Sequence, residues 1–374
     1  MKNLENLTIH QFRGVRDLNL QSLGQINVLV GDNNSGKTSV LEAISTYCRP
    51  LDLSEWLNAA WRREIKYSRK QRLEALKWLF PQNTENRVYD NYEGETYVSG
   101  NGDFKVRESR ALYSEVEAFE LSENVENSAD EEIGIREGDF DNILRGAQIY
   151  LTVRWVDLAT TVNDEISEEF ELWENERLIN RRSRADLMLP VETVTPYSHR
   201  IEQLQVGLLS EAIFRRFKPE VMKLLQGMDS GILDLQILSR PGSRPSLYIE
   251  HEELDIAPLS AFGDGVRRLL FIALMLAKVR NGVLLIDEIE TAIHTEALTK
   301  SFSWIVQWCK EMNVQLFATT HSLEAVDALL DAAKLEEDLV LYRLKKGESQ
   351  TKAVRIDKDR LQRLREELGQ EVRV

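Results

Sequence analysis

A glycine-rich segment near the start of the chain carries residue types that bind phosphate. The sequence GDNNSGKTS matches the pattern G-x-x-x-x-G-K-[ST] and directly follows the apolar run Ile26 to Val30. Glycines at both ends allow a tight turn whose backbone N–H groups point inward, and the helix that follows adds its N-terminus. The residues expected to hold the phosphates of a nucleotide are Gly31, Asp32, Asn33, Asn34, Ser35, Gly36, Lys37, Thr38 and Ser39.

Two side chains of this phosphate loop have roles of their own. Lys37 would reach the β- and γ-phosphate oxygens as a point charge, and the Thr38 hydroxyl would ligate Mg²⁺. The alternative is a glycine turn that caps a helix and binds nothing. The buried strand before the motif and the helix after it favour nucleotide binding, because the mechanism requires that context.

A pair of acids far down the chain completes the expected site. In VLLIDE, four apolar residues precede Asp287 and Glu288, a pattern typical of a central parallel strand that ends at the phosphate edge of a sheet. Asp287 would orient Mg²⁺, and Glu288 would polarise the attacking water as general base. Alone, the string also describes a buried strand followed by a surface turn. The phosphate loop upstream favours the nucleotide site.

The periodicity between these motifs predicts an α/β fold whose sheet is interrupted in its middle. Strands are expected at 4–12, 26–30, 148–156, 167–173, 233–238, 246–250, 283–287 and 314–320, with a hairpin near the end of the chain. Helices are expected at 38–47, 54–80, 201–226, 266–279 and 296–312.

This order predicts an interrupted sheet, and the bounds of the split domain follow from the family resemblance described below. Residues 1–50 and 256–374 would form the ATPase core with its mixed or parallel sheet, and residues 51–255 a large α+β insertion. The expected parts of the insertion are a helical stretch at about 54–80, an acidic irregular segment at about 81–141, and strands with a helix at about 148–250.

Further motifs resemble those of the ABC ATPases. The segment PLSAFGDGVRRLLFIALMLA is similar to their signature region, although the usual LSGGQ spelling is absent. The resemblance implies that Ser260, Gly263, Asp264 and Gly265 present backbone N–H groups and a helix dipole to the γ-phosphate held by an opposite subunit. It therefore implies ATP as the ligand and a head-to-tail homodimer, or a higher homo-oligomer, as the functional unit.

A histidine and two shorter motifs extend the resemblance. FATTHS looks like the switch loop, with His321 placed to sense the γ-phosphate, although a lone histidine after a strand is often structural. FRGVRDLNL and DEIETAIH resemble the overcoming-lysogenization-defect group, relatives of the RecF and structural-maintenance families. In that group the residues after the catalytic acid cross the dimer interface, which makes Glu290 and His294 candidates. Arg13 lies in the FRG turn, and Gln148 is one guess for the glutamine loop.

The resemblance covers residues 1–50 and 256–374 and leaves about half of the chain unmatched. Members of the group often carry a TOPRIM-type metal-dependent nuclease, for which the 53 residues after His321 leave no room. The heptad arm of the structural-maintenance class is also missing. The resemblance therefore implies an ATPase that acts through a separately encoded effector.

Composition limits the functional classes. The net charge of −15 disfavours broad binding of nucleic acid, although a local basic groove remains compatible with it. Between Glu85 and Asp141, 17 acidic residues face 5 basic ones, a pattern typical of a solvated surface or a docking face for a basic partner. Two distant cysteines and the lack of a long apolar run predict a soluble, cytoplasmic protein.

The favoured function is a regulatory ATPase of a bacterial anti-phage defence system, which controls a nuclease or toxin through ATP-dependent closure of an oligomer. The main alternative is a RecF-like ATPase of DNA repair or chromosome maintenance that binds DNA directly. A transporter ATPase and a nucleotide switch that does not hydrolyse are further alternatives. Lys37, Asp287 and Glu288 are all present, which speaks against the last of these.

Overall fold

A computed structural model describes residues 2–62, 69–82, 92–119, 143–157, 163–174, 184–239, 241–333, 338–347 and 350–373. The strands are β1 (Asn6–Phe12), β2 (Val15–Leu20), β3 (Ile26–Gly31), β4 (Glu93–Asn101), β5 (Val106–Phe119), β6 (Ile143–Val156), β7 (Asn163–Trp173), β8 (Val191–Val194), β9 (Ile232–Leu238), β10 (Ser246–His251), β11 (Asp255–Pro258), β12 (Val283–Ile286), β13 (Gln315–Thr319), β14 (Leu339–Lys346) and β15 (Thr351–Asp357).

The helices are α1 (Lys37–Cys48), α2 (Leu53–Trp61), α3 (Arg69–Lys77), α4 (Glu202–Phe214), α5 (Lys218–Met228), α6 (Asp264–Lys278), α7 (Thr295–Glu311), α8 (Leu323–Ala332) and α9 (Lys358–Gln362). A π-helical turn, Arg363–Glu367, follows α9. Together with the strands they form the α/β fold that the sequence predicts. Among the described residues, no helix combines the length and the apolar character that a membrane crossing needs.

The central sheet has the strand order β15-β14-β3-β13-β12-β8. All of its neighbouring pairs are parallel except the hairpin of β14 and β15. Every residue of β3, β12 and β13 is buried, as expected for strands covered on both faces. Since parallel strands end at the same edge, the sheet brings the segments after Gly31, Ile286 and Thr319 together.

A second six-stranded sheet is antiparallel, with the order β2-β1-β4-β5-β6-β7. Its strands come from residues 6–20 and 93–173, so the boundary expected at residue 50 does not separate two sheets. Strand β8, which also lies within the expected insertion, is an edge strand of the central sheet. The reason is packing: apolar side chains of β1, β6 and β12, such as Ile9, Ile149 and Leu285, share one core cluster.

The segment expected to be irregular, 81–141, contains the regular strands β4 and β5, which corrects that prediction. In β5, buried Ser109, Ala111 and Tyr113 alternate with exposed Arg110 and Leu112. An antiparallel strand with one face in water carries charges on that face, and these charges obscured the alternation in the sequence. Residues 120–142 of the segment lie outside the described part of the chain.

Two long helices of the sequence-based prediction are each divided in the structure. The stretch 54–80 contains α2 and α3, and residues 63–68 between them lie outside the described ranges. The stretch 201–226 contains α4 and α5. Arg216 between them has a φ of 58°, and a proline occupies the first turn of α5. A left-handed residue ends one helix, and a proline in the first turn suits the start of the next.

Candidate functional site

The phosphate loop connects β3 to α1 with a backbone that turns sharply. Gly31, Asn34 and Gly36 have φ angles of 147°, 64° and 94°, values that glycine and asparagine adopt most readily. A Cβ atom on Gly31 would lie 2.5 Å from the carbonyl oxygen of Leu344 and 2.8 Å from the Ser35 hydroxyl. The loop therefore requires glycine at its first position.

Lys37 lies inside this loop. Its Nζ atom donates hydrogen bonds to the carbonyl oxygens of Gly31, at 2.8 Å, and Asp32, at 3.0 Å. Burial lowers the pKa of Lys37, while the carboxylates of Asp287 and Asp32 oppose that shift. Among the described residues this buried cation is hydrogen-bonded to neutral carbonyl groups and forms no ion pair, so an anion at this position would be stabilised.

The structure brings Asp287 against the phosphate loop. The Thr38 hydroxyl donates a hydrogen bond of 3.0 Å to Oδ2 of Asp287, and the Thr319 hydroxyl donates one of 2.5 Å to Oδ1. The N–H of Glu288 in turn donates to Oγ1 of Thr319 at 2.9 Å. The start of α1 and the ends of β12 and β13 are thus joined by one hydrogen-bond network.

Glu288 has a left-handed backbone, with a φ of 49°. The Thr291 hydroxyl donates a hydrogen bond of 3.0 Å to its Oε2 atom. Left-handed backbone in a residue other than glycine is strained and is concentrated at functional sites, where the surrounding structure holds it. The turn and Thr291 together fix the direction of the Glu288 carboxylate.

The sequence did not predict a role for Arg268, whose side chain binds the turn at Asp287 and Glu288. Its guanidinium donates to the carbonyl oxygens of Asp287 at 3.0 Å, of Glu288 at 3.1 Å, and of Thr195. The side chain is completely buried, and burial lowers its pKa to about 10. The signal in the sequence is an arginine four residues before Ile272, on the apolar face of the predicted helix.

His321 lies at the same edge of the sheet. Its N–H donates a hydrogen bond of 3.0 Å to Oε1 of Glu290, and its carbonyl oxygen accepts one from the Arg373 guanidinium. Ser322 then caps α8, since its hydroxyl oxygen accepts from the N–H of Ala325 at 3.0 Å. The switch histidine expected from the sequence is therefore exposed but held by its backbone.

One cavity of about 940 Å³ unites these parts. It is lined by phosphate-loop residues, the two acids, the switch histidine, a turn after β1, aromatic residues after α3 and two residues of the β14–β15 hairpin. The lining residues used below are Arg13, Asn33, Asn34, Ser35, Gly36, Lys37, Thr38, Ser39, Trp78, Tyr92, Asp287, Glu288 and His321.

The aromatic end of this cavity was not foreseen from the sequence. Trp78 is 58% exposed, and its ring lies edge-on to that of Tyr92 with 6.4 Å between the centroids. The Tyr92 hydroxyl donates to the carbonyl oxygen of Phe80 at 2.6 Å, which fixes its ring. The cavity is therefore lined by charged residues of the phosphate loop and by the aromatic pair Trp78 and Tyr92, called the aromatic end below, which offers a surface to a flat ring.

The expected signature residues occupy a different place. Among the described residues that line the cavity, Ser260, Gly263, Asp264 and Gly265 are absent. Ser260 and Gly263 are exposed at the start of α6, where the first N–H groups of a helix have no partner within it. The Asp264 carboxylate instead pairs with Arg200 at 2.9 Å and Arg267 at 3.0 Å.

Gly265 connects the signature turn to the segment after the acids. A Cβ atom at this position would lie 2.9 Å from the carbonyl oxygen of Ala292, so glycine permits the close approach. Ala292 itself has a left-handed φ of 65°. The two segments that the resemblance assigns to a subunit interface are thus in contact within one chain.

The remaining candidates have ordinary structural contacts. Arg13 lines the cavity and forms an ion pair of 2.7 Å with the buried carboxylate of Glu42. His294 caps α7, with Nδ1 accepting from the N–H of Glu296 at 3.4 Å. Gln148 lies on β6, donates to Glu169 at 2.5 Å and is not among the described cavity residues. The guess that Gln148 forms a glutamine loop therefore has no support from geometry.

The residues present fit a magnesium nucleotide. The Ser35 hydroxyl is buried without a hydrogen-bond partner in the described structure, which leaves a polar atom free inside the phosphate cradle. Among the described residues, no cluster of three His, Cys, Asp or Glu side chains could cage a metal. Mg²⁺ suits such a site, because it takes one or two protein ligands and fills its shell with phosphate oxygens and water.

Several proteins are similar to this chain in sequence. An ATP/GTP phosphatase of Helicobacter pylori is 20% identical across 90% of this chain and 89% of its own length. An uncharacterized protein of Methanocaldococcus jannaschii is 35% identical over 113 residues, 30% of this chain and 98% of that protein. The DNA replication and repair protein RecF of Psychromonas ingrahamii is 52% identical over 42 residues, 11% of this chain and 12% of that protein.

Two SMC heads are among the solved structures to which this chain is similar. The SMC head domain from Thermotoga maritima has a TM-score of 0.41 at 12% identity and covers 95% of this chain and 99% of that one. The Smc head domain bound to the C-terminal domain of ScpA, derived from Pyrococcus furiosus, has a TM-score of 0.46 at 12% identity. The match covers 99% of this chain and 100% of that one.

A family model described as "AAA domain, putative AbiEii toxin, Type IV TA system" matches residues 26–327. The matched range includes the phosphate loop, the signature turn, Asp287 with Glu288, and His321. The chain therefore belongs to this AAA-domain family.

Proposed function

We propose that the chain binds ATP with Mg²⁺ in this cavity and hydrolyses it at composite sites between head-to-tail subunits. The observation that carries the proposal is the contact of Thr38 with Asp287 in the cavity that Lys37 and Glu288 also line. The two expected halves of a nucleotide site are far apart in the chain and adjacent in space. The similarity to an ATP/GTP phosphatase over most of both chains supports this function.

The binding step uses the phosphate loop. Inward N–H groups and the start of α1 would bind the β- and γ-phosphates, and Lys37 would exchange its two carbonyl partners for phosphate oxygens. Thr38 and Asp287 would hold Mg²⁺, which when bound neutralises phosphate charge. The hydrogen bond between Thr38 and Asp287 keeps both ligands in place before the metal arrives.

The hydrolytic step uses Glu288. Its carboxylate would accept a proton as a water oxygen attacks the γ-phosphorus and the bond to the departing ADP oxygen breaks. Thr291 fixes one carboxylate oxygen, which leaves the other available to the water. His321 would steady the γ-phosphate from the next strand.

The nucleotide base has a place at the aromatic end of the cavity. Trp78 and Tyr92 line that end, and Trp78 is exposed enough for a purine to stack on its ring. Stacking on an aromatic side chain contributes about 1–3 kcal/mol per base in nucleic-acid complexes. This end would therefore add affinity for ATP over a bare triphosphate.

The composite site can be tested by mixing two inactive variants. Lys37→Ala removes the phosphate-loop cation, and Ser260→Arg blocks the exposed signature turn. In a head-to-tail pair of one variant with the other, one of the two sites contains an intact Lys37 and an intact Ser260. Recovery of ATP hydrolysis on mixing supports sites shared between subunits. An unchanged, low rate across all mixing ratios contradicts them.

The wider role that we propose is control of a separately encoded effector, a nuclease or toxin, in an anti-phage defence system. The family's description names a "putative AbiEii toxin" of a type IV toxin–antitoxin system, which supports a role in a two-gene arrangement but describes the family itself as the toxin. ATP-bound closure and relaxation on hydrolysis would give the effector two states to distinguish. Coexpression with the neighbouring gene product and capture of a tag on this chain test the idea. A chain that stays alone, with and without ATP, contradicts it.

The short similarity to RecF gives a second candidate, an ATPase that binds DNA directly. This function requires a local basic groove, because the net charge of −15 opposes general binding to phosphates. It predicts hydrolysis that duplex DNA stimulates and that falls steeply with salt. An ATPase rate that is the same with and without duplex DNA at low salt contradicts it.

A further inference from the structure

We propose that Arg373 is a positioning residue that fixes the backbone of His321 and thereby aims its imidazole into the nucleotide cavity. The inference rests on the proposed function, because it concerns the orientation of His321, the residue proposed to contact the γ-phosphate. Arg373 itself lies outside the motifs that resemble those of the ABC ATPases. The inference assigns a role to the segment from Lys358 to Arg373, which follows the β14–β15 hairpin.

His321 depends on its backbone for its orientation. Its side chain is exposed, and within the described structure no hydrogen bond holds the imidazole. Its peptide groups are held from two sides. The N–H donates to Glu290, and the carbonyl oxygen accepts from Nη1 of Arg373. A side chain without a partner can be aimed only by the main chain that carries it.

Arg373 is itself held in a fixed direction. Its Nε and Nη2 atoms donate to the two carboxylate oxygens of Glu371 at 2.9 Å and 2.8 Å, so the guanidinium forms a bidentate pair. This pairing lowers the pKa of Glu371 to about 2. The Nη1 atom is not used in this pair and donates to the carbonyl oxygen of His321. A planar guanidinium can satisfy a carboxylate and a carbonyl at once, whereas a lysine ammonium lacks this fork.

The segment is anchored in the core on either side of the exposed residues. Leu361 and Val372 are each 1% exposed and belong to the same apolar cluster as Ala325 and Leu329 of α8. Arg373 thus follows directly after a buried residue, which limits how far its backbone can move. A π-helical turn lies between the two anchors.

A second contact ties the segment to α8, the helix that begins just after His321. Arg365 forms a bidentate pair with Asp327 of α8, with distances of 2.7 Å and 2.8 Å. Its Nη1 atom also donates to the carbonyl oxygen of Gln370 at 2.6 Å, which braces the extended residues before Arg373. The segment is therefore tied both to α8 and, through Arg373, to the switch loop that precedes this helix.

The test compares Arg373→Ala and Arg373→Lys with Arg363→Ala. Arg363 is exposed in the same segment and makes no ion pair within the described structure, so it is a matched control. Arg373→Ala should lower kcat about tenfold, because the imidazole of His321 would lose the backbone contact that orients it. The Kd for ATP should stay within about twofold, because the phosphate loop is untouched, and Arg373→Lys should restore part of kcat.

Hydrogen exchange in the nucleotide-free protein supplies a readout that does not depend on turnover. Peptides covering residues 317–323 should exchange faster in Arg373→Ala, and at the wild-type rate in Arg363→Ala. If the wild type hydrolyses no ATP, the proposed function fails and the exchange rates alone decide whether Arg373 fixes the loop. Unchanged exchange in Arg373→Ala overturns the proposal. Faster exchange with an unchanged kcat also overturns it, because the loop would then be held without a benefit to the site.

Discussion

The Thr38 hydroxyl and the Asp287 carboxylate lie 3.0 Å apart, although 249 positions separate them in the chain. The parallel register of β3, β13 and β12 produces this contact, because the three strands end at one edge of the sheet. Thr319 on the middle strand bonds the other oxygen of Asp287. The site is thus assembled by strand order: Thr319 ends β13, Asp287 directly follows β12, and Thr38 lies in the first turn of α1 after the loop that follows β3.

Replacing Glu288 with Gln should separate binding from hydrolysis. The amide keeps the shape of the side chain but cannot accept a proton, so hydrolysis should fall about 10³-fold. The Kd for ATP should change less than about twofold, because Glu288 lies outside the phosphate loop. Phosphate release measures the loss of hydrolysis. Mass photometry with ATP measures the closed oligomer, which should persist because its ATP is not hydrolysed. The control is Glu296→Gln, at an exposed position. If Glu288→Gln hydrolyses ATP at the wild-type rate, Glu288 is not the general base.

Replacing Arg268 with Ala should destabilise the fold as well as the site. Three carbonyl groups that the guanidinium now satisfies, those of Thr195, Asp287 and Glu288, would lose their donor in the interior. The free energy of unfolding should fall by about 3 kcal/mol or more, measured by urea denaturation. Arg267→Ala is the control, since its ion pair with half-exposed Asp264 contributes little. Equal losses in the two variants contradict the central role of Arg268.

Replacing Trp78 with Ala should weaken ATP binding and leave triphosphate binding alone. Inorganic triphosphate has the charge of the nucleotide tail but no base, so only ATP can use the aromatic end of the cavity. The Kd for ATP should rise about tenfold. Phe214→Ala is the control, because this phenylalanine is 88% exposed and does not line the cavity. An equal effect of Trp78→Ala on ATP and triphosphate contradicts a base site at this end.

The affinity for ATP should fall as the pH rises. Burial lowers the pKa of Lys37, so in the free protein this side chain loses its charge at a lower pH than an ordinary lysine does. Bound phosphate favours the charged form, and binding therefore weakens once the pH passes the free-state pKa. Titrations of ATP between pH 7 and pH 10 measure the slope. Lys37→Arg should bind ATP less tightly, but its affinity should not fall over this pH range. An equal fall in affinity in the wild type and in Lys37→Arg would show that another group causes it.

The sequence predicts the site better than it predicts the fold around it. The phosphate loop and the acid pair each follow a run of apolar residues, so strand, motif and position could be predicted together from short stretches. Arg268 lies within the segment that resembles the signature region, but the resemblance gives this arginine no role. Its burial follows from its place on the apolar face of α6, and its carbonyl partners are set by tertiary packing.

The antiparallel sheet was harder to predict because its pairing is long-range. Strand β1 pairs with β4, so Leu7 lies opposite Gly100, and no local pattern specifies that partner. Strands β4 and β5 also carry charges on their solvated face, which made them resemble a surface loop. The aromatic end of the cavity depends on the same packing, since Trp78 and Tyr92 are placed by the elements on either side of them.

The central claim is that the phosphate loop and the acid pair bind one magnesium nucleotide, and calorimetric titration of ATP tests it most directly. The wild type should bind one ATP per chain. Lys37→Ala should raise the Kd at least about 100-fold, since it removes a charged donor from the phosphates. Asp287→Asn should remove most of the dependence on Mg²⁺. Heats of binding that neither substitution alters, or no uptake of ATP by the wild type, would contradict the claim.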